Sequence, residues 1–279
     1  MRRFPQSMSA YSPKEYWTGI AADVRSADAS GLAPVLHPGA PDWFNRLIDR
    51  LQFRAIQRAL ALAGVQRGAR ILDVGCGTGR WLRRYKELGL VATGVDATPG
   101  MLALARERGT TAPVVAGEAG CLPFGDTEFD CVSDITVVQH IPRSQQPEAL
   151  GEMVRVLKPG GRLILLELIR GEDAHVFPRS SQDWIGQAET VGAKLIGSFG
   201  QEYLLLDRLF SSAARGLTEG NSSHAGTGTA GTAAHSRLAR RIYWGMRHLI
   251  APLSTWTDPL AERFCPAHFA THGVFIFGK

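Results

Sequence analysis

Apolar and polar positions follow different periods in different parts of the chain. From Asp42 to Leu62, apolar residues recur at helical spacing with arginines between them, which predicts an amphipathic helix. After Gly68, short apolar runs alternate with helical stretches, a pattern typical of successive βαβ units in a parallel sheet. The runs that predict strands are Arg70 to Val74, Val91 to Val95, Pro113 to Ala116, Phe129 to Asp134 and Arg162 to Leu168.

Helices are predicted between these strands and after them. The first helices cover Arg80 to Leu88, Pro99 to Arg108 and Pro147 to Leu157. Lys158 to Gly161 ends the last of them, because proline and glycine stop a helix and turn the chain. The remaining predicted elements are a helix from Gln182 to Val191, a strand from Leu195 to Leu205 and a closing strand from His272 to Phe277.

The regular alternation ends near residue 207. Residues 218–234 are almost entirely small or polar, so they bury too little apolar surface to offset their ordering entropy and predict a mobile loop. Residues 238–253 carry an apolar helical stripe flanked by arginines, which predicts a helix that either covers the substrate or simply packs on the sheet. The predicted organisation is a helical cap (1–66), a cofactor-binding core (67–206), a loop and helical insertion (207–269) and a final core strand (270–279).

Composition narrows the class of protein. The net charge of +5 is mild for 279 residues, and no dense run of Lys or Arg indicates a nucleic-acid partner. The four cysteines are scattered without a C-x-x-C pair, so no metal site or disulfide framework is predicted. No apolar run is long enough to span a bilayer, and we expect a soluble cytoplasmic protein. The arginine-flanked helix leaves peripheral membrane contact open, and the sequence indicates no oligomeric state.

A glycine-rich loop carries the strongest local signal. The sequence ILDVGCGTG at Ile71 to Gly79 lies between a predicted strand and a predicted helix. Glycines there let the backbone turn sharply and approach a ligand at the helix N-terminus, where amide groups point outward. Asp96 ends the next strand, where a carboxylate conventionally accepts hydrogen bonds from ribose hydroxyls. The loop and Asp96 predict a nucleotide-like cofactor, and dinucleotide enzymes share both features.

Three observations favour a cationic cofactor over a dinucleotide. The glycine spacing is G-x-G-x-G, which differs from the G-x-G-x-x-G of the pyrophosphate fingerprint. Asp73 precedes the loop, where a negative charge would repel a pyrophosphate and attract the ammonium group of a methionine moiety. Glu118 follows the third strand, from which a carboxylate can accept a hydrogen bond from an adenine amino group. Asp73, Asp96 and Glu118 would then surround a sulfonium cofactor.

Four motifs in order give the chain a family resemblance. They are ILDVGCGTG at 71–79, GVDATPGML at 94–102, GEAGCLPFGDTEFD at 117–130 and RVLKPGGRLIL at 155–165. With them the chain resembles the class I S-adenosylmethionine-dependent methyltransferases, in the broad group that includes ubiquinone and menaquinone biosynthesis enzymes. The resemblance covers roughly residues 68–168. It implies a doubly wound, Rossmann-like α/β fold with a seven-stranded, mostly parallel sheet and an antiparallel last strand.

The resemblance also assigns cofactor contacts. S-adenosyl-L-methionine would be the cofactor. The family more often carries Asp where this chain has Glu118. The implied contacts are Gly75, Gly77 and Gly79 at the methionine end, Asp96 at the ribose, Ala97 and Met101 beside the adenine, and Glu118 and Ala119 at the adenine edge.

Candidate residues for the chemistry lie in two places. His140 follows the fourth strand, at the edge where open α/β sheets bind ligands, and an imidazole suits deprotonation of an attacking hydroxyl. A histidine that only caps a helix is an equally ordinary reading of this position. Tyr16 and Trp17 near the N-terminus would place aromatic faces beside a sulfonium, or simply pack under a loop.

The sequence supports one leading function and leaves others open. The leading hypothesis is methyl transfer to a small organic acceptor, because the insertion supplies apolar and aromatic residues and no dense basic stripe. In-line displacement from a sulfonium requires mainly alignment and exclusion of water, so the acceptor site has no universal motif. Methylation of RNA or protein, a non-catalytic cofactor-binding protein and a nicotinamide oxidoreductase are the alternatives.

Overall fold

The computed structural model of the chain describes residues 11–27, 32, 36, 40–171, 175–203, 253, 256–266 and 269–279. The strands are β1 (Arg70–Val74), β2 (Val91–Asp96), β3 (Val114–Ala116), β4 (Phe129–Ile135), β5 (Leu157–Leu168), β6 (Lys194–Gln201) and β7 (His272–Gly278). The helices are α1 (Pro13–Ala27), α2 (Asp42–Leu62), α3 (Arg80–Glu87), α4 (Pro99–Glu107), α5 (Gln146–Val156) and α6 (Ser181–Thr190), and residues 256–264 are also helical.

The strands form one seven-stranded sheet in the order β3-β2-β1-β4-β5-β7-β6. β1 pairs in parallel with β2 and β4, and parallel pairing continues to β3 on one side and β5 on the other. β7 lies between β5 and β6 and is antiparallel to both. The predicted doubly wound sheet with an antiparallel last strand is therefore confirmed.

Both faces of the sheet are covered by helices, because alternate strand residues point to opposite sides. On one face Ile71 packs in a buried cluster with Ile56 of α2 and Leu82 of α3. On the other face Leu72 packs in a cluster that includes Leu150 of α5 and Trp184 of α6. Strands buried on both sides read as continuous apolar runs, which makes them recognisable in the sequence.

Two predicted strand boundaries are wrong. β5 begins at Leu157, because Leu157 pairs with Phe129 and the Gly160 N–H donates to the Lys279 carbonyl, which draws the Pro-Gly-Gly segment into the sheet. β6 runs from Lys194 and ends at Gln201. Glu202 has a φ of 63°, outside the extended region, so the strand cannot continue through it.

Much of the predicted insertion lies outside the described residues. This applies to the loop at 218–234 and to the helix at 238–253 except for Leu253. The cap, insertion and domain boundaries therefore stay predictions. Within the described part of the chain, no helix is long and apolar enough to cross a membrane.

Candidate functional site

A cavity of about 580 Å³ lies at the carboxyl edge of the parallel strands. Its wall includes the ends of β1, β2 and β4 at Val74, Asp96 and Ile135, together with the segment that follows β3. Ligands of open α/β sheets bind outside this edge, and the volume falls within the range of about 300–1,000 Å³ usual for small-molecule sites. The cavity is therefore the candidate cofactor and acceptor site.

The glycine loop adopts the backbone that its residues favour. Gly75, Gly77 and Gly79 have φ values of 66°, 51° and 70°, a region that disfavours other residues. A Cβ at Gly75 would lie 2.6 Å from Cγ1 of Val137 and still closer to Cγ2, so this glycine permits close packing of the two loops. Gly75 and Gly77 line the cavity, whereas Gly79 precedes α3 and is not part of the wall.

Asp96 ties the glycine loop to the end of β2. Its Oδ2 accepts the Gly77 N–H at 2.9 Å, and its Oδ1 accepts the Thr98 N–H at 2.8 Å. Burial raises the pKa of this carboxyl, and the two backbone hydrogen bonds oppose that rise by stabilising the ionised form. Each carboxylate oxygen can accept a further hydrogen bond, so Asp96 can hold the loop and also receive hydroxyl groups from the cavity.

Asp73 does not line the cavity. Its side chain is buried, and Oδ1 accepts a hydrogen bond from Ser133 Oγ of β4 at 3.1 Å. Burial raises the pKa of Asp73 to about 8, which weakens the fixed negative charge inferred from the sequence. The carboxyl lies among buried groups between neighbouring strands, and its predicted contact with an ammonium group stays a prediction.

The remaining predicted cofactor residues all line the cavity. Ala97 and Met101 lie along the segment from the end of β2 into α4. Glu118 and Ala119 lie in the segment that follows β3. The Glu118 carboxylate is 3.5 Å from Lys14 Nζ of α1, and both side chains are largely exposed. Glu118 therefore contacts α1 as well as lining the cavity.

Helix α1 and the residues before it cover part of the cavity. Tyr11, Lys14 and Trp17 contribute to the wall, and Ala21 packs beside Met101 of α4 in a small apolar cluster. The Tyr11 hydroxyl, which sequence reasoning missed, donates to the His140 carbonyl at 3.1 Å. The N-terminal segment therefore closes over the sheet edge, as its aromatic residues suggest.

An aromatic cluster surrounds His140. The Trp17 ring meets the imidazole edge-on with centroids 5.1 Å apart, and His175 stacks on it at 5.3 Å. Tyr16 is not part of the cavity wall, but it stacks on His175 at 4.4 Å. His140 itself lines the cavity. The structure thus brings His140 and Trp17 together at one wall.

A buried carboxyl pair lies behind that wall. Asp134 of β4 and Glu167 of β5 are completely buried, and burial raises the pKa of both. Glu167 accepts backbone N–H groups from the turn that follows β4. Among the residues that the structure describes, no group of His, Cys, Asp and Glu could hold a metal ion.

Gly77 provides a prediction specific to the cavity. A Cβ at this position would meet only the Gly75 carbonyl, at 3.9 Å, so Gly77→Ala adds a methyl group where the loop faces open space. We expect a stability loss of only about 1 kcal/mol from the positive φ, together with a fall of at least about tenfold in S-adenosylhomocysteine affinity. Chemical denaturation and calorimetric titration measure the two effects, and unchanged affinity would place the ligand elsewhere.

Part of the chain is similar to known methyltransferases. Residues 72–165 match a family described as a methyltransferase domain. The chain is 35% identical over 127 residues to the demethylmenaquinone methyltransferase of Renibacterium salmoninarum, covering 45% of this chain and 53% of that protein. It is 37% identical over 155 residues to the ubiquinone/menaquinone biosynthesis C-methyltransferase UbiE of Pseudomonas savastanoi, covering 51% and 59%. It is also 36% identical over 115 residues to the malonyl-[acyl-carrier protein] O-methyltransferase of Serratia marcescens, covering 41% and 44%.

Solved structures share the fold. A putative sarcosine dimethylglycine methyltransferase from Galdieria sulphuraria has a TM-score of 0.54 at 20% identity, covering 82% of this chain and 85% of that one. The [4+2]-cyclase SpnF has a TM-score of 0.53 at 20% identity, covering 81% of both chains. One of these neighbours is named a cyclase, so the shared fold alone does not define the reaction.

Within residues 72–165 the chain is therefore similar to a methyltransferase domain, and the cofactor of such a domain is S-adenosylmethionine. The chain spans about half the length of the curated relatives it matches. The residues outside 72–165 fall beyond the family match.

Proposed function

We propose that this chain binds S-adenosylmethionine in the cavity and transfers its methyl group to a small organic acceptor. The observation that carries the proposal is the convergence of the glycine loop, Asp96 and His140 on one cavity at the carboxyl edge of the sheet. The methyltransferase-domain match over residues 72–165 supports the same cofactor.

The cavity wall fits the proposed cofactor. Gly77 leaves room for a ligand beside the loop backbone, and Asp96 has acceptor capacity beyond its two backbone hydrogen bonds. Met101 and Ala97 offer apolar surface for an adenine, and Ala119 and Glu118 line the same cavity. In this assignment Asp73 supports the glycine loop indirectly. Its hydrogen bond with Ser133 joins β1, which leads into the loop, to β4.

The bound cofactor supplies a methyl group attached to a sulfonium sulfur. When the methyl group is transferred, the sulfur-containing remainder is a good leaving group. The chain's own residues then align the acceptor and exclude water. Tyr11 and Trp17 cover one side of the cavity, and the edge of the sheet forms the opposite side. His140 lines the same cavity and is the candidate that removes a proton from the acceptor.

The acceptor is proposed to be a small molecule because two of the relatives are named for quinones or their biosynthesis. The names of the relatives include both carbon and oxygen methylation, so the names alone do not determine the acceptor atom. The wall beside His140 is rich in aromatic side chains, which suits an acceptor with an apolar or planar part.

Methyl-labelled S-adenosylmethionine tests the proposal. The protein is incubated with a deproteinised cell extract and, separately, with RNA and with protein, and each fraction is assayed for label. We expect label in a small-molecule product, with suppression by excess S-adenosylhomocysteine. Label confined to RNA or protein, or no label in any fraction, would contradict the proposed function.

His140→Asn tests the candidate base. Asn keeps a polar group near the position of Nδ1 but cannot take the acceptor's proton, and general-base catalysis typically contributes about 10²–10⁴-fold. We expect kcat to fall at least about 100-fold while S-adenosylhomocysteine affinity changes less than about threefold. A fall in kcat of less than threefold would exclude His140 as the base.

A further inference from the structure

We propose that Glu167 and Gln139 are positioning residues that hold His140 as its Nδ1–H tautomer, with Nε2 as the proton acceptor. The inference rests on the proposed function and deepens it, because it restricts the acceptor to a group that must lose a proton. Neither Glu167 nor Gln139 lines the cavity, so both would act through His140.

Glu167 fixes the backbone of the turn that carries His140. Its Oε1 accepts the N–H groups of Val137 and Val138, each at 3.0 Å, and its Oε2 accepts the N–H of Gln139 at 2.9 Å. Thr136, just before the turn, has a φ of 59°, a conformation that costs energy for a threonine. A buried carboxyl group that accepts three amides anchors the turn, because each of these N–H donors would otherwise be buried without a partner.

Gln139 then connects that anchor to the imidazole. Its Oε1 accepts the Leu168 N–H at 2.7 Å, which fixes the orientation of the side-chain amide. The amide nitrogen therefore points the other way, and it lies 3.5 Å from His140 Nε2. An NH₂ group can only donate, so it favours an unprotonated Nε2. This contact is long for a hydrogen bond. A hydrogen bond from the acceptor to His140 Nε2 can therefore take its place.

The other ring nitrogen supports the same assignment. His140 Nδ1 lies 3.1 Å from the backbone carbonyl oxygen of His175. A carbonyl oxygen can only accept, so Nδ1 carries the proton and Nε2 carries the lone pair. The ring plane is further held by stacking on His175 and by the edge of Trp17. The carbonyl contact at Nδ1 thus selects the tautomer, and the longer amide contact at Nε2 agrees with it.

The same turn also meets the cofactor loop. Val137, whose N–H is held by Glu167, packs so closely on Gly75 that no Cβ fits between them. His140 closes the turn, with its N–H donating to the Val137 carbonyl at 2.9 Å. Through this turn Glu167 links the position of the imidazole to that of the glycine loop, and in-line transfer depends on the alignment of such groups.

This arrangement restricts the acceptor to a hydroxyl, an amine or a carbon acid. As the acceptor–methyl bond forms and the sulfonium–methyl bond breaks, His140 Nε2 takes the acceptor's proton, and the electron pair of the broken bond stays on sulfur. The imidazolium then returns the proton to water. A carboxylate acceptor is already ionised near neutral pH and has no use for such a base.

The tautomer can be measured without any acceptor. The full chain is labelled with ¹⁵N-histidine, and the His140 resonances are identified by their loss in His140→Asn. We expect long-range ¹H–¹⁵N correlations of the Nδ1–H tautomer in the wild type, whereas free histidine favours the Nε2–H form. A predominant Nε2–H tautomer at His140 would overturn the proposal.

Variants test the positioning roles. Gln139→Met keeps the length of the side chain but cannot hydrogen-bond, and Glu167→Gln presents an NH₂ group to a backbone N–H. We expect both to reduce the Nδ1–H fraction and to lower kcat about tenfold, with S-adenosylhomocysteine affinity unchanged. The control is Asp126→Asn at an exposed carboxylate, which should change neither the Nδ1–H fraction nor kcat. If Glu167→Gln folds poorly, Gln139→Met decides, because it leaves the amide contacts of Glu167 intact.

The outcomes separate this inference from the proposed function. Absence of methyl transfer would contradict the proposed function. The tautomer measurement would still test whether Glu167 and Gln139 position His140. Given transfer, a methyl group on an atom that previously bore hydrogen supports the acceptor class. A methyl ester of a carboxylate, or an unchanged tautomer in both Gln139→Met and Glu167→Gln, would overturn the inference.

Discussion

Asp96→Asn is expected to lower the affinity for S-adenosylhomocysteine about 100-fold or more. The two carboxylate oxygens accept the N–H groups of Gly77 and Thr98, and an amide presents an NH₂ group to one of these donors. The amide is also a weaker acceptor for a cofactor hydroxyl in the cavity. Losing a hydrogen bond from a ligand to a charged group costs about 1.5–3 kcal/mol, and every 1.4 kcal/mol is tenfold in affinity. Displacement of the glycine loop adds to this effect. Calorimetric titration measures the affinity.

Asp126→Asn is the matched control for this prediction as well. Asp126 is an exposed carboxylate paired with Arg155, outside the cavity wall, and its replacement should leave the affinity within about twofold. An Asp96→Asn protein that is folded and binds within threefold of the wild type would show that Asp96 does not contact the cofactor.

Gly75→Ala is expected to lower the free energy of unfolding by about 3 kcal/mol. The new methyl group would meet Val137 at less than van der Waals distance, and overpacking of this kind typically costs about 1–3 kcal/mol. The positive φ of Gly75 adds about 1 kcal/mol more. Urea denaturation at equilibrium measures the sum.

Gly64→Ala isolates the backbone contribution. Gly64 has a similar φ of 69°, and a Cβ there meets no atom within 4 Å, so we expect a loss of only about 1 kcal/mol. Equal losses for the two variants would mean that the contact between the glycine loop and Val137 contributes nothing to stability.

The elements that the sequence predicts well are those with a local signal. β1 is buried along all but its first residue and therefore appears as a short, mostly apolar run, and the glycine spacing that follows it reflects backbone positions of positive φ. The carboxyl edge of the sheet follows from strand direction alone. Because Asp96 and His140 each follow a parallel strand, their positions along the chain are enough to assign both to that edge.

The residues that sequence reasoning missed act through distant partners. Tyr11 reaches the His140 carbonyl across 129 positions, and the His175 carbonyl contacts the imidazole across 35. No periodicity or motif records such a contact, because only the folded sheet brings these segments together. The sequence does not reveal the surroundings of Asp73 for a related reason. Its hydrogen-bond partner, Ser133, lies on the neighbouring strand.

Calorimetric titration of the wild-type chain with S-adenosylhomocysteine, in parallel with a reduced nicotinamide dinucleotide, tests the central claim most directly. The account predicts saturable binding of S-adenosylhomocysteine near one site per chain and no binding of the nicotinamide. Binding of the nicotinamide alone, or of neither ligand to folded protein, would contradict the assignment of the cavity to S-adenosylmethionine.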